Sequence, residues 1–281
     1  MSNYTHKIVF NNIYKYSFNE EIMVRYSIKG YGKTISQDVI THITNKKMLL
    51  SVIIPTFNEE GNVLKLTHKI KEVLDKTNFK SNYEIIVVDD NSTDRTSAII
   101  DKLAEKNNFI ALHRLKDKGI FSAVVDGIKL SNGKFVLTMD ADFSHPPEII
   151  PKILSHYRNY DIVSASRFIK GGDMESPFIR KIGSKILNRV CGIIMGVSIK
   201  DLGGNFRLFN REKFLQLPLK YDSVFGEFGF EIFYRAKKLN YKIKEVPFTY
   251  YFRKEGKSKM GNLFKYGAAY LKRAFQLRFE S

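Results

Sequence analysis

Short apolar runs alternate with longer amphipathic stretches from residue 49 onwards. The runs predict five strands at about 49–55, 84–89, 109–113, 135–139 and 161–165. In the stretches between them, apolar residues recur every three or four positions, which predicts helices at about 59–76, 93–107, 120–131 and 147–156. Apolar strands alternating with helices are typical of a parallel sheet covered on both faces. The pattern therefore predicts a doubly wound α/β fold that binds its ligand beyond the carboxyl ends of the strands.

The pattern changes after Arg167. It predicts a helix at 177–195, a strand at 204–209, a helix at 227–239, a strand at 243–253 and a final helix from about Met260. Since no low-complexity linker interrupts residues 49–259, we expect one large domain there. Residues 1–48 form an N-terminal extension that can hold a small hairpin, and its role is unassigned. Residues 260–281 are predicted to form a basic amphipathic C-terminal helix.

Charge and composition narrow the classes of function. The 281 residues carry a formal charge of +17, and residues 237–281 hold twelve Lys or Arg against three acids. Such a surplus predicts an anionic partner, which could be nucleic acid, anionic lipid or a phosphorylated substrate. The single cysteine, Cys191, excludes an internal disulfide framework and fits a reducing cytosol. The ten-residue uncharged stretch 190–199 is too short to cross a bilayer, and the N-terminus lacks the apolar core of a signal peptide.

Carboxylates follow the ends of three predicted strands. Asp140 and Asp142 follow the fourth run, and alternate residues of an extended segment share a face. Glu59 follows the first run and Asp90 the second. Two solvated loop aspartates would also explain an Asp-Ala-Asp sequence. Because carboxylates so close together repel each other unless a cation or protons intervene, the set favours a site for a divalent cation and a phosphorylated ligand.

Seven stretches of the chain occur in the order typical of one enzyme family. They are SVIIPTFNEEGNV, EIIVVDDNSTD, KGIFSAVVDGIKLSNGKFVLTMDADFSHPPE, DIVSASRFIKGG, DLGGNFRLFNRE, GFEIFYRAKKLNYKIKEVPFTYYFR and EGKSK, which run from residue 51 to Lys259. In these stretches the chain resembles inverting glycosyltransferases of the GT-A type, and most of all the dolichol-phosphate mannose synthases. The resemblance implies a GT-A fold with a mostly parallel sheet over residues 49–259.

The resemblance also implies a role for individual residues. Those expected to hold the nucleotide, its diphosphate and a Mg²⁺ or Mn²⁺ ion are Pro55, Phe57, Glu59, Val88, Asp90, Asp140, Ala141 and Asp142, with Ser144 as a further metal ligand. Those expected to contact the phosphates of donor or acceptor are Arg167, Arg180, Ser184, Arg253 and Lys259. Asp201 is the expected general base if the acceptor is a sugar hydroxyl. Phe57 stands where tyrosine is common in the family, so ring stacking is kept and a hydroxyl contact is lost.

The implied reaction moves mannose or glucose from GDP-mannose or UDP-glucose to a polyprenyl (dolichyl) phosphate, with inversion and with a metal ion. The alternative is a related transferase that extends a glycan or polysaccharide at a sugar hydroxyl. Only the net charge would support a nucleic-acid partner, because the sequence contains no nucleic-acid-binding motif. We therefore expect no nucleic-acid partner.

Location at a membrane follows from the lipid acceptor and the C-terminal helix. Residues 260–281 could lie in the membrane interface or pack on the catalytic domain. We expect a cytoplasmic protein at the cytoplasmic face of a membrane, where a membrane-embedded partner protein could help it reach the lipid.

Overall fold

A computed structural model describes residues 26–30, 33–34, 48–106, 108–114, 119–220, 227–251 and 263–280. The chain divides into two compact units, residues 1–141 and 142–281. Each unit is described separately below.

The first unit is built on a mostly parallel sheet. Its strands are β1 (Tyr26–Gly30), β2 (Lys33–Thr34), β3 (Met48–Thr56), β4 (Tyr83–Asp89), β5 (Phe109–Arg114) and β6 (Gly133–Thr138). They lie in the order β6-β3-β4-β5-β1-β2, and the pairs among β6, β3, β4 and β5 are parallel. The chain moves outward from β3 to β5 and then returns to place β6 on the other side of β3. This reversal makes the unit doubly wound, as the sequence predicted.

Three helices connect these strands: α1 (Val63–Asp75), α2 (Thr96–Leu103) and α3 (Ile120–Leu130). Helix α1 buries Val63, Leu66, Ile70 and Leu74, which repeat at helical spacing. Helix α3 packs against β3 and β4. The contact is close because Gly127 has no side chain: a Cβ there would lie 2.5 Å from a methyl group of Ile53. All seven residues of β4 are buried, which explains its continuous apolar run.

The N-terminal extension contributes to this sheet. Strand β1 pairs antiparallel with β2, which confirms that the extension can hold a small hairpin. It also pairs antiparallel with β5, from Tyr26 opposite Arg114 to Lys29 opposite Ala111. The rest of residues 1–47 lies outside the described part of the chain.

The second unit has both parallel and antiparallel strand pairs, and more of its chain is helical. Its strands are β7 (Ile162–Ser166), β8 (Asp173–Met174), β9 (Arg207–Asn210), β10 (Ile243–Pro247) and β11 (Thr249–Tyr250). Strand β7 pairs in parallel with β10 and antiparallel with β9, and β8 pairs in parallel with β11. The helices are α4 (Ile150–Leu154), α5 (Phe178–Met195), α6 (Arg211–Leu215), α7 (Phe228–Lys238) and α8 (Leu263–Phe279). A 3₁₀ turn, Pro147–Ile149, precedes α4.

The C-terminal helix α8 packs on α5 and α7. Its Ala274 and Leu277 are buried, whereas Phe275 and Phe279 are exposed. Arg273 of α8 donates a hydrogen bond of 2.6 Å to Glu231, a fully buried carboxylate on α7. The helix is therefore held to its unit by a buried ion pair as well as by apolar contacts. Within the described residues, no helix is both long enough and apolar enough to cross a membrane.

Candidate functional site

The carboxyl ends of β3, β4 and β6 lie side by side in the first unit. Pro55 lies opposite Val88 in the register of β3 and β4, which brings together two residues that sequence assigned to the nucleotide. A hydrogen bond also joins the end of β3 to the residue after β4: the Asp90 amide donates to the Thr56 carbonyl oxygen at 2.8 Å. Asp140 follows β6, the strand on the other side of β3. This edge lies where the chain reverses direction, which is the usual ligand-binding position of doubly wound sheets.

Glu59, three residues after the end of β3, is held in place by hydrogen bonds. It is buried, its amide donates to Thr96 Oγ1 at 2.8 Å, and its Oε2 accepts from Asn62 Nδ2 at 2.9 Å. The preceding residue, Asn58, has a positive φ of 52° and accepts a hydrogen bond from the Thr93 amide at 2.8 Å. The loops after β3 and β4 are thereby tied together. Phe57 lies half-buried beside them.

Asp90 is positioned by an arginine that the sequence analysis missed. Arg114, at the end of β5, is fully buried and donates from Nη1 to Asp90 Oδ1 at 2.7 Å. The Gly119 amide donates to the other oxygen, also at 2.7 Å. Arg114 also pairs with Asp126, at 2.9 Å from Nε. An arginine directly after an apolar strand run was the signal that could have identified it.

A second missed group is the cluster of Asp89, His113 and Asp101. His113 Nδ1 lies 3.4 Å from Asp89 Oδ2, and its Nε2 lies 2.9 Å from Asp101 Oδ1. Burial alone would lower the pKa of His113, but hydrogen bonds to the two carboxylates and their charges outweigh burial and raise it. Burial likewise opposes the charge on Asp89, yet hydrogen bonds to His113 and neighbouring serines hold its pKa below the usual range.

We expect this cluster to make stability depend on pH. Because the folded pKa of His113 is raised, its contribution is complete below the unfolded value, about 6.5, and is lost as pH rises through the folded pKa. The wild-type protein should lose unfolding free energy across that window, and His113→Asn, which has no imidazole to titrate, should lose much less across the same window. Urea denaturation at a series of pH values measures both slopes. His68→Asn, at an exposed histidine, is the control. Equal slopes in wild type and His113→Asn would contradict the assignment.

The Asp-Ala-Asp sequence has oxygen donors suited to a hard divalent cation. In the second unit, Asp142 is buried and its Oδ1 accepts from the Ser144 amide at 3.1 Å. Ser144 is fully buried, and its Oγ has no hydrogen-bond partner among the described residues. A buried hydroxyl without a partner is costly, so a ligand at this point would relieve that cost. No group of three His, Cys, Asp or Glu side chains able to hold a metal occurs among the described residues.

Arg167 and Asp201 form a bidentate pair in the second unit. Arg167 Nη2 and Nε each lie 2.7 Å from an oxygen of Asp201, and the Arg167 amide donates to Oδ2 at 2.9 Å. Asp201 is fully buried. Burial opposes both charges, but mutual attraction outweighs it, so the pKa of Asp201 is lowered and that of Arg167 is raised. Tyr250 and Phe168 cover the guanidinium, with ring centroids 5.5 and 4.9 Å away.

Helix α5 carries Arg180 and Ser184 one turn apart, both half-buried. One turn further on, Asn188 donates to the Ser184 carbonyl at 2.8 Å and accepts from the Leu202 amide at 2.8 Å. The helix is thereby fixed to the loop that carries Asp201. Arg253 and Lys259, the other two residues assigned to phosphate, lie outside the described residues.

His145, next to Ser144, was also missed. It is buried and stacks on Phe206 at 5.1 Å between ring centroids. Phe248 and Tyr250 meet its ring edge-on. Because Tyr250 also covers Arg167, an aromatic cluster connects the segment after Asp142 with the Arg167–Asp201 pair. The His-Pro-Pro sequence that follows the two aspartates was the available signal.

Comparison with known proteins assigns the family. The model of glycosyl transferase family 2 matches residues 51–217. A dolichol-phosphate mannosyltransferase from Pyrococcus furiosus is 39% identical over 219 residues, which are 76% of this chain and 59% of that protein. The chain thus spans less than two thirds of that relative. A polyprenol monophosphomannose synthase from Mycolicibacterium smegmatis is 32% identical over 217 residues, 74% of this chain and 80% of that protein.

A solved structure supports the predicted fold. Glucosyl-3-phosphoglycerate synthase from Mycobacterium tuberculosis, crystallised with Mn²⁺, UDP and glucosyl-3-phosphoglycerate, has a TM-score of 0.56 and 16% identity. The match covers 88% of this chain and 85% of that one. The α/β fold class of the GT-A type is therefore confirmed. With its family model matched over more than half of its length, the chain belongs to glycosyl transferase family 2.

Proposed function

We propose that this protein transfers a hexose, mannose or glucose, from a nucleotide sugar to a polyprenyl phosphate with inversion at the sugar. The observation that carries the proposal is the similarity to two polyprenyl-phosphate mannose transferases across about three quarters of the chain. The donor would be GDP-mannose or UDP-glucose. The described residues to which we assign these roles lie at the reversal point of the first unit, and in the second unit on the Arg167–Asp201 pair and helix α5.

The first unit would bind the nucleotide. Phe57 offers a ring on which a base can stack, and Pro55 and Val88 offer an apolar wall. Glu59 and Asp90 would accept hydrogen bonds from the ribose or the base. Arg114 and the Gly119 amide fix the Asp90 carboxylate in the position from which it would make such a contact. Backbone groups near Asp140 and Ala141 would lie alongside the diphosphate.

A divalent cation would be held by Asp140 and Asp142, with Ser144 Oγ, which has no hydrogen-bond partner within the described part of the chain, as a further oxygen donor. The donor set fits Mg²⁺ or Mn²⁺, which prefer oxygen ligands. When bound, such an ion would neutralise charge on the departing diphosphate.

Arg167 would contact phosphate while Asp201 holds it. Two of the three nitrogens of its guanidinium donate to Asp201, whereas Nη1 makes a long contact of 4.0 Å with the Met174 sulfur. Nη1 is therefore the nitrogen best placed to donate to a phosphate oxygen. Arg180 and Ser184, with Arg253 and Lys259, would bind further phosphate oxygens.

The environment of Asp201 favours a phosphate acceptor over a sugar hydroxyl. A general base needs an open oxygen and a pKa near the working pH. Asp201 is fully buried, has both oxygens bound by Arg167 and has a lowered pKa. A phosphate oxygen is already anionic near neutral pH, so positioning and charge stabilisation would suffice. The glycan-extending alternative is therefore the weaker of the two.

Donor binding can be tested by thermal shift with GDP-mannose and UDP-glucose, each with and without Mg²⁺ or Mn²⁺. The bound donor should raise the melting temperature, and the rise should grow with the logarithm of its concentration. The metal should increase the shift. No shift with any nucleotide sugar would contradict the proposal.

We place this activity at the cytoplasmic face of a membrane, because the polyprenyl acceptor is a lipid. A membrane-embedded protein partner would be an additional means of bringing the lipid to the enzyme.

A further inference from the structure

His113 of β5 lies between two carboxylates of the first unit. Its Nδ1 is 3.4 Å from Asp89 Oδ2 on β4, its Nε2 is 2.9 Å from Asp101 Oδ1 on α2, and its side chain is 14% exposed. A neutral imidazole donates from only one nitrogen, whereas the protonated ring donates from both. Two carboxylates around one ring therefore favour the charged form. Loss of the proton leaves one of them facing a nitrogen that can only accept.

The contact with Asp89 is the one that a neutral ring would give up. It is the longer of the two, so the remaining proton should stay on Nε2 and be donated to Asp101. Burial alone would lower the pKa of His113, but the hydrogen bonds to both carboxylates outweigh it and raise the pKa above its ordinary value of 6.5. The remaining ionisable residues of β1, β4 and α2 either titrate at about pH 10 or above or lie at the far end of β4: Tyr26, Lys29, Tyr83, Glu84 and Lys102.

Asp89 connects this imidazole to the loop after β3. Its Oδ1 accepts hydrogen bonds from the Ser92 hydroxyl and, at 3.2 Å, from the Ser92 amide. The same hydroxyl oxygen accepts from the Asn58 amide at 2.8 Å. Asn58 lies between Phe57 and Glu59, to which we assign contacts with the nucleotide. A continuous path of polar contacts thus joins the ring to the nucleotide loop.

The backbone of Asn58 makes the loop sensitive to this path. Its φ of 52° lies in the left-handed region, which a residue other than glycine keeps only when its surroundings hold it there. Ser92 holds the amide of Asn58, and the Thr93 amide donates to its side chain at 2.8 Å. A shift of Ser92 would therefore be transmitted to Phe57 on one side and to Glu59 on the other.

We propose that His113 is a positioning residue of the nucleotide site, which acts through Asp89 and Ser92 to hold the loop 57–59 in its binding conformation while the ring is protonated. This inference rests on the proposed function and deepens it by naming a control on donor affinity. The affinity for the nucleotide sugar is highest where the ring is protonated, and it falls as pH rises and the proton leaves. Donor binding in turn favours the protonated ring, because coupling between two equilibria is reciprocal.

Calorimetric titration of the full chain with GDP-mannose and UDP-glucose, at saturating Mg²⁺ and a series of pH values, tests the proposal. The wild type should bind its donor about fivefold more weakly at the alkaline end of the series than at the acidic end. His113→Asn places an amide nitrogen near the position of Nδ1, so it can still donate to Asp89 and should bind tightly at every pH. His113→Gln places its amide nitrogen near the position of Nε2, towards Asp101, and should bind weakly at every pH.

Ser92→Ala separates the path through Asp89 from a direct attraction between the charged imidazole and the diphosphate of the donor. The variant keeps His113 but lacks the hydroxyl between Asp89 and Asn58, so it should bind weakly and without pH dependence. A direct attraction would leave the pH dependence in place. The control is His68→Asn, at an exposed histidine of α1, which should follow the wild-type profile.

Three results would overturn the role of His113 alone: a wild-type affinity that does not change with pH, equal affinities of His113→Asn and His113→Gln, or an unchanged pH dependence in Ser92→Ala. Circular dichroism checks that the variants fold, and the profiles of the wild type and Ser92→Ala decide the question even if a His113 variant does not fold. Binding with the expected pH dependence but without hexosyl transfer to polyprenyl phosphate would refute the proposed function alone. Absence of binding by either nucleotide sugar would overturn both proposals.

Discussion

Asp142→Asn should slow hexosyl transfer by roughly a thousandfold, with little change in the fold. The substitution keeps the shape of the side chain and the carbonyl oxygen that accepts from the Ser144 amide, but removes a negative charge from the proposed cation site. A metal ion contributes several kcal/mol to transition-state stabilisation, and about 1.4 kcal/mol is a tenfold change in rate. Initial rates with saturating donor and acceptor, measured over a range of Mn²⁺ concentrations, give the effect.

Two controls make this result specific. Asp173→Asn removes an exposed carboxylate of the same unit, which pairs with Lys181, and should leave the rate near that of wild type. Thermal shift with nucleotide sugar should show that Asp142→Asn loses the extra stabilisation due to metal. Wild-type rates and an unchanged metal response in Asp142→Asn would remove Asp142 from the cation site.

Asp201→Asn should destabilise the protein by about 3 kcal/mol, because it leaves the Arg167 guanidinium without its charged partner in a buried position. For a chain of 281 residues the melting temperature should fall by roughly 5 °C. The lowered pKa of Asp201 also fixes the sign of the pH dependence. Its contribution is present above the unfolded pKa, about 3.9, and is lost as pH falls through the folded value.

The double substitution Arg167→Met with Asp201→Leu distinguishes an ion pair from simple loss of packing. Removing both charges should cost less than removing either one, since no lone buried charge remains. Calorimetry or urea denaturation of this double variant and of the single variants Arg167→Met and Asp201→Leu gives the coupling. If Asp201→Asn kept full stability and lost all transfer, Asp201 would be a general base, and the acceptor would be a hydroxyl.

Sequence alone predicted the α/β layout because its central strands are buried along most of their length. The run at 84–89 became β4, Tyr83–Asp89, with every residue buried. The predicted ends of the helices were less accurate where a turn precedes the helix. The first helix begins at Val63 rather than 59, because residues 59–62 form a turn closed by the Val63 amide on the Glu59 carbonyl. The helix expected at 147–156 is a 3₁₀ turn followed by α4, with Pro151 in its first turn.

The candidate site was predictable in its residue types but not in its internal pairing. Carboxylates after apolar runs indicated the edge of the sheet, and the family motifs indicated the arginines. Sequence could not show that Asp201 is neutralised by Arg167, since the two are 34 residues apart and pair only in the folded chain. The same holds for Arg114, which reaches Asp90 across 24 residues. Short strands such as β8 and β11 have two residues each and leave no periodic pattern.

The central claim is that a hexose passes from a nucleotide sugar to a polyprenyl phosphate. Its most direct measurement uses GDP-mannose and UDP-glucose labelled in the sugar, with polyprenyl phosphate, Mg²⁺ or Mn²⁺ and the full chain. Label should pass into the organic phase with one of the two donors, as a glycolipid whose anomeric configuration is inverted relative to the donor. Label that stays in the aqueous phase with polyprenyl phosphate, but enters a soluble glycan, would contradict the account.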